Sequence, residues 1–309
     1  VKVLIIDGNR NGLGVARALR LGGLGLEIHI AAPTATPPAR YSRYVAGFWR
    51  VPSPDLPADW LEAMIALGQR LRDEDGLPYL LPVNDVYVIL GARHWDRLGQ
   101  YFQAAFETRI DTLDRCLAKD RCYDLADEVG VSVPLRSDSA AGFGKQEGRL
   151  PAIVKPAIRN APEFAANRPF RARICRTGAE IEKACAELLA AGARPVVQEF
   201  IEGGDDNLVT AGVAAIHGRI VATFTGRKLR QFPPQVGEAS YAESFDAPAT
   251  AVAAGRMLSA LGFTGLAQVE FKRREGIDYL LEINPRSWSW IGLTAASGVN
   301  LPAALMGGL

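Results

Sequence analysis

The 309-residue chain carries few residues of the kinds that mark a metal or redox centre: four cysteines, three histidines and three methionines. Cys116, Cys122, Cys175 and Cys185 are scattered and form no CxxC pair. That argues against a structural zinc site or a disulfide framework and fits a reducing cytoplasm. His29, His94 and His217 stand apart from one another, so a histidine-based triad or metal site has little support. No apolar run approaches the roughly 20 residues that a bilayer crossing needs. The chain also lacks runs of like charge: 35 basic and 34 acidic residues leave a net charge of +1. Nucleic acid and anionic membrane are therefore not expected partners. A GxxxxGK(S/T) phosphate loop is missing too.

What is present is ordinary globular composition, 48% hydrophobic, which suits one large or two to three small domains. The chain opens on a strand, VKVLIID, not on a signal peptide. A loop, GNRNGLG, follows, then helical spacing over 15–21 and a second strand, LEIHIA. That order implies a parallel sheet. A helix over 58–73 and a short strand at 79–83 precede the loop residues Asn84 and Asp85, and this unit closes near residue 110. Residues 112–130 read as one helix ending at Gly130. LPAIVK, a helix over 177–192 and PVVQEFI make a small α+β unit. From 207 onward strands dominate, among them LAQVEF and YLLEIN, joined by a turn containing Gly276.

Four groups of residues are candidates for chemistry. In the last hairpin, period-two alternation puts Glu270 and Glu282 opposite or diagonal on one face, with Gln268 and Asn284 beside them. Two carboxylates about 4 Å apart repel by about 4 kcal/mol at an effective dielectric near 20. A divalent cation removes that cost, and all-oxygen ligands select magnesium or manganese. The same pattern also suits a solvated edge hairpin. Lys119, Lys155 and Lys228, each near the end of an element, suit a phosphate chain that needs convergent charge, although each taken singly reads as a surface lysine. In QEFIEGGDD, Glu199, Phe200 and the Ile201 backbone offer an acceptor, an apolar slot and an N–H for a base, with Asp206 in reach of a ribose; an acidic turn ending a strand explains the same residues. Finally, Gly12-Leu-Gly14-Val-Ala-Arg17 departs from GxGxxG at Arg17, and the second strand ends without an acid, which weakens a dinucleotide site. That loop can instead hold a substrate anion at a helix N-terminus. Asn9, Arg10, Asn84 and Asp85 are then candidate substrate contacts, or else loop and capping residues.

Taken in order, Lys119 in CLAKD, Lys155 in AIVKP, Glu199 in VQEFIEGGDD, Lys228 in TGRKLRQ, Glu270 in LAQVEF, and Glu282-Ile-Asn284-Pro-Arg286 resemble the ATP-grasp superfamily. The subgroup they look most like is the carboxylate–amine ligases similar to D-aspartate ligase and carbamoyl-phosphate-synthase-like proteins. The resemblance implies a mixed α/β and α+β architecture. Its parts are a Rossmann-like unit (1–111), a linking helix with a lid (112–197) and an antiparallel-sheet catalytic unit (198–309). It implies ATP with Mg2+ (or Mn2+) as cofactors and small-molecule carboxylate and amine (or thiol) substrates, joined through an acyl-phosphate. Lys119 and Lys155 would contact phosphates. Glu199 and Ile201 would read adenine beside Phe200, and Asp206 the ribose. Glu270, Glu282 and Asn284 would hold metal, Lys228 or Arg227 would neutralise the transferring phosphoryl group, and Arg286 would stabilise the acyl-phosphate and the oxyanion. One departure stands out: the lid segment 159–171 has no glycine. It motivates an alternative, a nucleotide-binding regulatory protein without turnover. A dinucleotide oxidoreductase using the first unit is a third reading. A homodimer is the default for a soluble enzyme.

Overall fold

The computed structural model describes residues 1–145, 150–157, 169–234 and 237–309. The segment 159–168 of the expected lid loop lies outside the described residues. The described strands form three sheets.

The first sheet is parallel, as the opening strand–helix–strand order predicts. It consists of β1 (Lys2–Ile6), β2 (Glu27–Ala32), β3 (Gly47–Arg50), β4 (Tyr79–Pro82) and β5 (Gln103–Ala104), in the order β3-β2-β1-β4-β5. Val3, Leu4, Ile5 and Ile6 are fully buried, because helices cover both faces and a parallel strand needs apolar side chains on each. The helix after β1, α1 (Arg10–Leu21), starts earlier than the hydrophobic spacing suggests. Asn9 caps it by accepting from the N–H groups of Asn11 and Gly12. Helix α2 (Pro57–Leu71) has Trp60, Leu61, Met64 and Ile65 on its buried side. Helix α3 (Asp85–Arg93) is capped by Asn84, which accepts from Tyr87 N–H at 3.1 Å, and the short helix α4 (Trp95–Leu98) follows it. Because β1 lies between β2 and β4, the loops that follow β1 and β4 open onto one crevice at the end of the sheet.

The single helix expected over 112–130 is two. Helix α5 (Ile110–Leu117) and helix α6 (Lys119–Glu128) meet at Ala118, whose extended backbone (φ −80°, ψ 115°) ends one and starts the other. The break makes Lys119 the first residue of α6, and its N–H donates to the Ala157 carbonyl at 3.0 Å.

The second sheet is small and antiparallel: β6 (Arg136–Ser137), β7 (Ala152–Pro156), β8 (Arg173–Cys175) and β9 (Pro195–Glu199), in the order β6-β9-β7-β8. Its outer face packs Ala152, Val154 and Val197 on the helix Gly178–Ala190. The third sheet is also antiparallel: β10 (Leu208–Ile216), β11 (Arg219–Phe232), β12 (Glu238–Ser244), β13 (Gly265–Arg274) and β14 (Ile277–Asn284), in the order β12-β11-β10-β13-β14. Edge strand β12, EASYAES, shows no apolar alternation and is largely exposed, so periodicity could not reveal it.

The first and third sheets are clamped together. Glu107, 2% exposed, receives bonds from Arg109 Nε (2.9 Å), Arg109 Nη2 (2.9 Å) and the Thr264 N–H (3.0 Å). Arg109 Nη2 also donates to the carbonyls of Leu261 and Gly262. One cluster of buried residues mixes Val3, Ile5 and Val15 with Leu266, Trp288, Ile291 and Leu305, so the interface between the two sheets is apolar core.

Candidate active site

The third sheet presents a floor of three rows, read directly from its register. Opposed residues on antiparallel strands share a face. One row is Lys228–Leu208–Lys272, the next Gly226–Thr210–Glu270–Glu282, the third Phe224–Gly212–Gln268–Asn284. The middle row depends on a bulge. The β13–β14 turn pairs Arg274 with Ile277, and Glu275 and Gly276 have φ of 51° and 79°, the two positive values that a tight hairpin turn demands. Counting back from it, Phe271 faces Leu280. A regular ladder would next place Leu281 opposite Glu270 and turn Glu282 to the other face. Instead the register shifts by one residue, and Glu282 faces Glu270 while Asn284 faces Gln268. Leu281 is the extra residue, a device that re-aims side chains. Its carbonyl accepts from the Tyr123 hydroxyl at 2.7 Å. Burial raises the Tyr123 phenol well above its ordinary range, which keeps it a donor.

Two carboxylates directly opposed destabilise a sheet unless positive charge joins them. Lys228 Nζ lies 2.7 Å from Glu270 Oε2, and both side chains are largely buried. Asn284 Nδ2 donates to Glu282 Oε1 at 3.2 Å. Among the described residues no group of three or more His, Cys, Asp and Glu side chains could hold a metal. The site offers two carboxylates and an amide oxygen, an all-oxygen set that suits a hard cation whose other ligands come from water and phosphate.

Above this floor opens a cleft of about 570 Å³ between the three sheets. Lys119 from α6 and Lys155 from β7 line it, with Lys228, Glu270, Glu282 and Asn284 below and Arg286 beyond the end of β14. Asn9, Arg10, Asn84 and Asp85 reach it from the crevice of the first sheet. Desolvation first, and then the like charge of Lys119, push the Lys155 ammonium down to about 7, against a smaller upward pull from Glu282.

Asn9 and Asn84 are both bound to the Asp7 carboxylate, at 2.7 and 2.6 Å. Asp7 itself has φ of 80° at the end of β1, a conformation that Asp tolerates better than most residues. Both asparagines, which line the cleft, are thus occupied as helix caps. Arg10 reaches Glu238 at 3.4 Å from an exposed position. Arg286 is held on several sides. Nε donates to Asp85 Oδ1 (2.8 Å), Nη2 to Asp85 Oδ2 (3.4 Å) and to Asn284 Oδ1 (3.1 Å), and Nη1 to the Ser287 carbonyl (2.9 Å).

Five expected site residues do not line the cleft. Arg227 alternates to the other face of β11, where Glu243 holds it at 2.7 Å and Phe245 lies under its guanidinium. Glu199 faces away from Lys155. Its register partner is Ala152, while Ile153 pairs with Gln198 and Lys155 with Val196, so Gln198 and not Glu199 shares the face of Lys155. Glu199 is bonded to Arg274 at 2.6 Å and borders a separate depression with Arg136 and Tyr279. Phe200 and Ile201 follow at the strand end, where Phe200 N–H bonds the Pro151 carbonyl. Asp206 is exposed; its neighbour Asp205 is the one engaged, accepting from Gln231 N–H (2.8 Å) and Nε2 (2.9 Å). The preceding Gly203 and Gly204 carbonyls are held by Lys272 Nζ at 2.9 and 2.6 Å.

Gln198 escaped the sequence reading because its face follows from the β7–β9 register, which periodicity does not supply. It is fully buried and receives the Tyr123 hydroxyl at 3.2 Å, while its Nε2 has no partner among the described residues. Thr210 Oγ1, in the row of Glu270, is likewise buried without a partner. Neither side chain is exposed in the cleft, and Trp60 Nε1, Ser287 Oγ and Trp288 Nε1 are also buried without a partner among the described residues. Trp288 packs against Gly212, where any Cβ would collide with its ring, so this glycine is required by close approach.

Comparison with solved structures fixes the architecture. Biotin carboxylase from Campylobacter jejuni aligns with a TM-score of 0.74 over 98% of this chain and 70% of that one, at 16% identity. The chain has the ATP-grasp fold. The biotin carboxylase domain of 2-oxoglutarate carboxylase from Hydrogenobacter thermophilus, solved with MgADP, ADP and bicarbonate, matches this chain with a TM-score of 0.71 (98% and 68% covered, 15% identity). An L-amino acid ligase from Bacillus licheniformis gives 0.66 (99% and 73% covered, 15% identity). Residues 209–309 match a family model described as ATP-grasp in the biosynthetic pathway with Ter operon. A search of curated proteins returned no match. No helix among the described residues is long and apolar enough to cross a membrane.

Proposed function

We propose that this ATP-grasp chain is an ATP-dependent ligase that joins a small-molecule carboxylate to an amine through an acyl-phosphate, releasing ADP and phosphate. The observation that carries the proposal is the opposed pair Glu270 and Glu282, brought to one face by the Leu281 bulge under a cleft lined by Lys119, Lys155, Lys228 and Arg286. A carboxylate is a poor acyl donor because its leaving group would be oxide; phosphorylation replaces that with phosphate. Such a reaction asks the protein for positioning and charge neutralisation, not for a nucleophile.

In this reading Glu270, Glu282 and Asn284 hold Mg2+ or Mn2+, which supplies Lewis-acid chemistry and a template for the phosphates. Asn284 Oδ1, already accepting from Arg286, keeps a second lone pair for the cation. Lys119 and Lys155 take the phosphate chain. Lys228, next to Glu270, neutralises the transferred phosphoryl group, and Arg286 stabilises the acyl-phosphate and the oxyanion. Ile153 and Leu281, which line the cleft, are the apolar walls for the base, with Phe200 and Ile201 at the strand end. Asp206 reaches the ribose from its exposed turn. Residues 1–111 serve as the substrate-facing unit, 112–197 as linker and lid, and 198–309 as the catalytic unit.

The test is a screen of acid and amine pools with Mg2+ and ATP, read as ADP release. ADP that forms only when an acid and an amine are both present supports the ligase. Nucleotide that binds while no pair yields ADP would favour a regulatory role, and tight NAD(P)H binding would favour an oxidoreductase.

A further inference from the structure

The contacts of Arg286 point to a residue with a role of its own. Asp85 lies 201 positions earlier in the chain, at the first turn of α3 in the other sheet's unit. An acid at a helix start is ordinarily accounted for by the helix dipole. Here the carboxylate is 8% exposed and turned across the unit boundary, with Oδ1 on Arg286 Nε at 2.8 Å and Oδ2 on Nη2 at 3.4 Å. The residue before it is fixed as well. Asn84 donates to Asp7 at 2.6 Å and accepts from Tyr87 N–H, so two hydrogen bonds hold the start of α3. Arg286 passes the constraint on, through Asn284 Oδ1 at 3.1 Å and Asn284 Nδ2 to Glu282 Oε1 at 3.2 Å. A guanidinium has five N–H donors, and four are engaged in these bonds. Little of Arg286's donor capacity remains for a ligand, so its orientation decides where that capacity acts.

We propose that Asp85 is a positioning residue: it orients Arg286 towards the transferred phosphoryl group, so that the first unit completes the charge-stabilising apparatus of the third. The proposal rests on the ligase reading above. It differs from a substrate contact, because Asp85 acts through Arg286 and not on the acid or amine.

The probe is MgADP with and without aluminium fluoride, a mimic of the phosphoryl group in flight, titrated calorimetrically into wild type, D85N, D85E, R286A and D85N/R286A. D85N is expected to leave MgADP affinity within about twofold and weaken the MgADP–aluminium fluoride complex about tenfold, as for residues coupled through one interaction. R286A is expected to do the same or worse, and the double variant to be no weaker than R286A. D85E, which keeps the carboxylate, is expected to recover most of the loss. Should D85N fail to fold, D85E and R286A still supply a comparison: equal losses in MgADP and MgADP–aluminium fluoride would overturn the proposal. So would D85N at wild-type affinity, or losses that add in the double variant. Wild type unable to bind MgADP removes the nucleotide reading itself, and the proposal with it. Wild-type binding with an unaffected D85N removes the proposal alone.

Discussion

Lys155 gives the sharpest quantitative handle on the cleft. Its ammonium sits on the wall with Lys119 as a neighbour, and desolvation pushes it down to about 7. At pH 8 such a group holds only about 0.1 proton, whereas the same lysine against a phosphate, returned to its ordinary range near 10.4, holds about 1. Binding of MgATP at pH 8 is therefore expected to take up about 0.9 proton, and affinity to fall by up to about tenfold per pH unit above that point. The sign follows from the bound state holding the proton. The ligand-free protein shows the reverse linkage: between about 7 and 10.5 the unfolded chain binds more protons at this lysine, so its contribution favours the fold increasingly as pH rises. Isothermal titration of MgATP in Tris and in phosphate at equal pH reads proton uptake from the difference in heat. A buffer-independent enthalpy at pH 8, or K155M with the same uptake as wild type, would refute the reasoning.

Three further outcomes follow from named contacts. R286A should lower turnover by about 100-fold while changing ATP affinity little, since an oxyanion donor acts in the transition state; lost binding with unchanged turnover at saturation would contradict this. Deleting Leu281 should leave a regular ladder in which Glu282 still opposes Glu270 and Asn284 still opposes Gln268, so Mg2+-dependent nucleotide binding should persist in a protein that keeps its far-ultraviolet circular dichroism; loss of the Mg2+ dependence would show that the bulge does more than set the register. Gly212→Ala should cost about 1–3 kcal/mol by overpacking against Trp288, measured by urea unfolding; a neutral result would show that the Trp288 ring moves freely.

Much of the fold was legible because its strongest signals are local. VKVLIID is apolar on both faces and belongs to a parallel sheet, and LAQVEF and YLLEIN flank a turn whose Gly276 supplies positive φ. What was not legible depends on partners distant in sequence. Strand β12 has no alternation because it is a sheet edge. Ala118 divides α5 from α6 although nothing in its identity breaks a helix. Gln198 and Glu199 lie on opposite faces of their strand, and the order of residues does not show which face meets Lys155. The carboxylate pair was placed on one face, yet strict counting from the turn would have put Glu282 on the other; the bulge that brings it back holds the Leu281 carbonyl on the Tyr123 hydroxyl, 158 positions away in the chain. Asp85 read as a candidate substrate contact or else a loop and capping residue, and its ion pair with Arg286 gives it another meaning.

The central claim is that Glu270 and Glu282 together hold a divalent cation that fixes the nucleotide. Mn2+ paramagnetic resonance with ATP, on wild type and Glu282→Gln, tests it most directly. The account predicts a protein-bound Mn2+ signal in wild type that requires ATP, and its loss in a folded Glu282→Gln variant. A variant that binds Mn2+ and ATP as wild type does would contradict the claim.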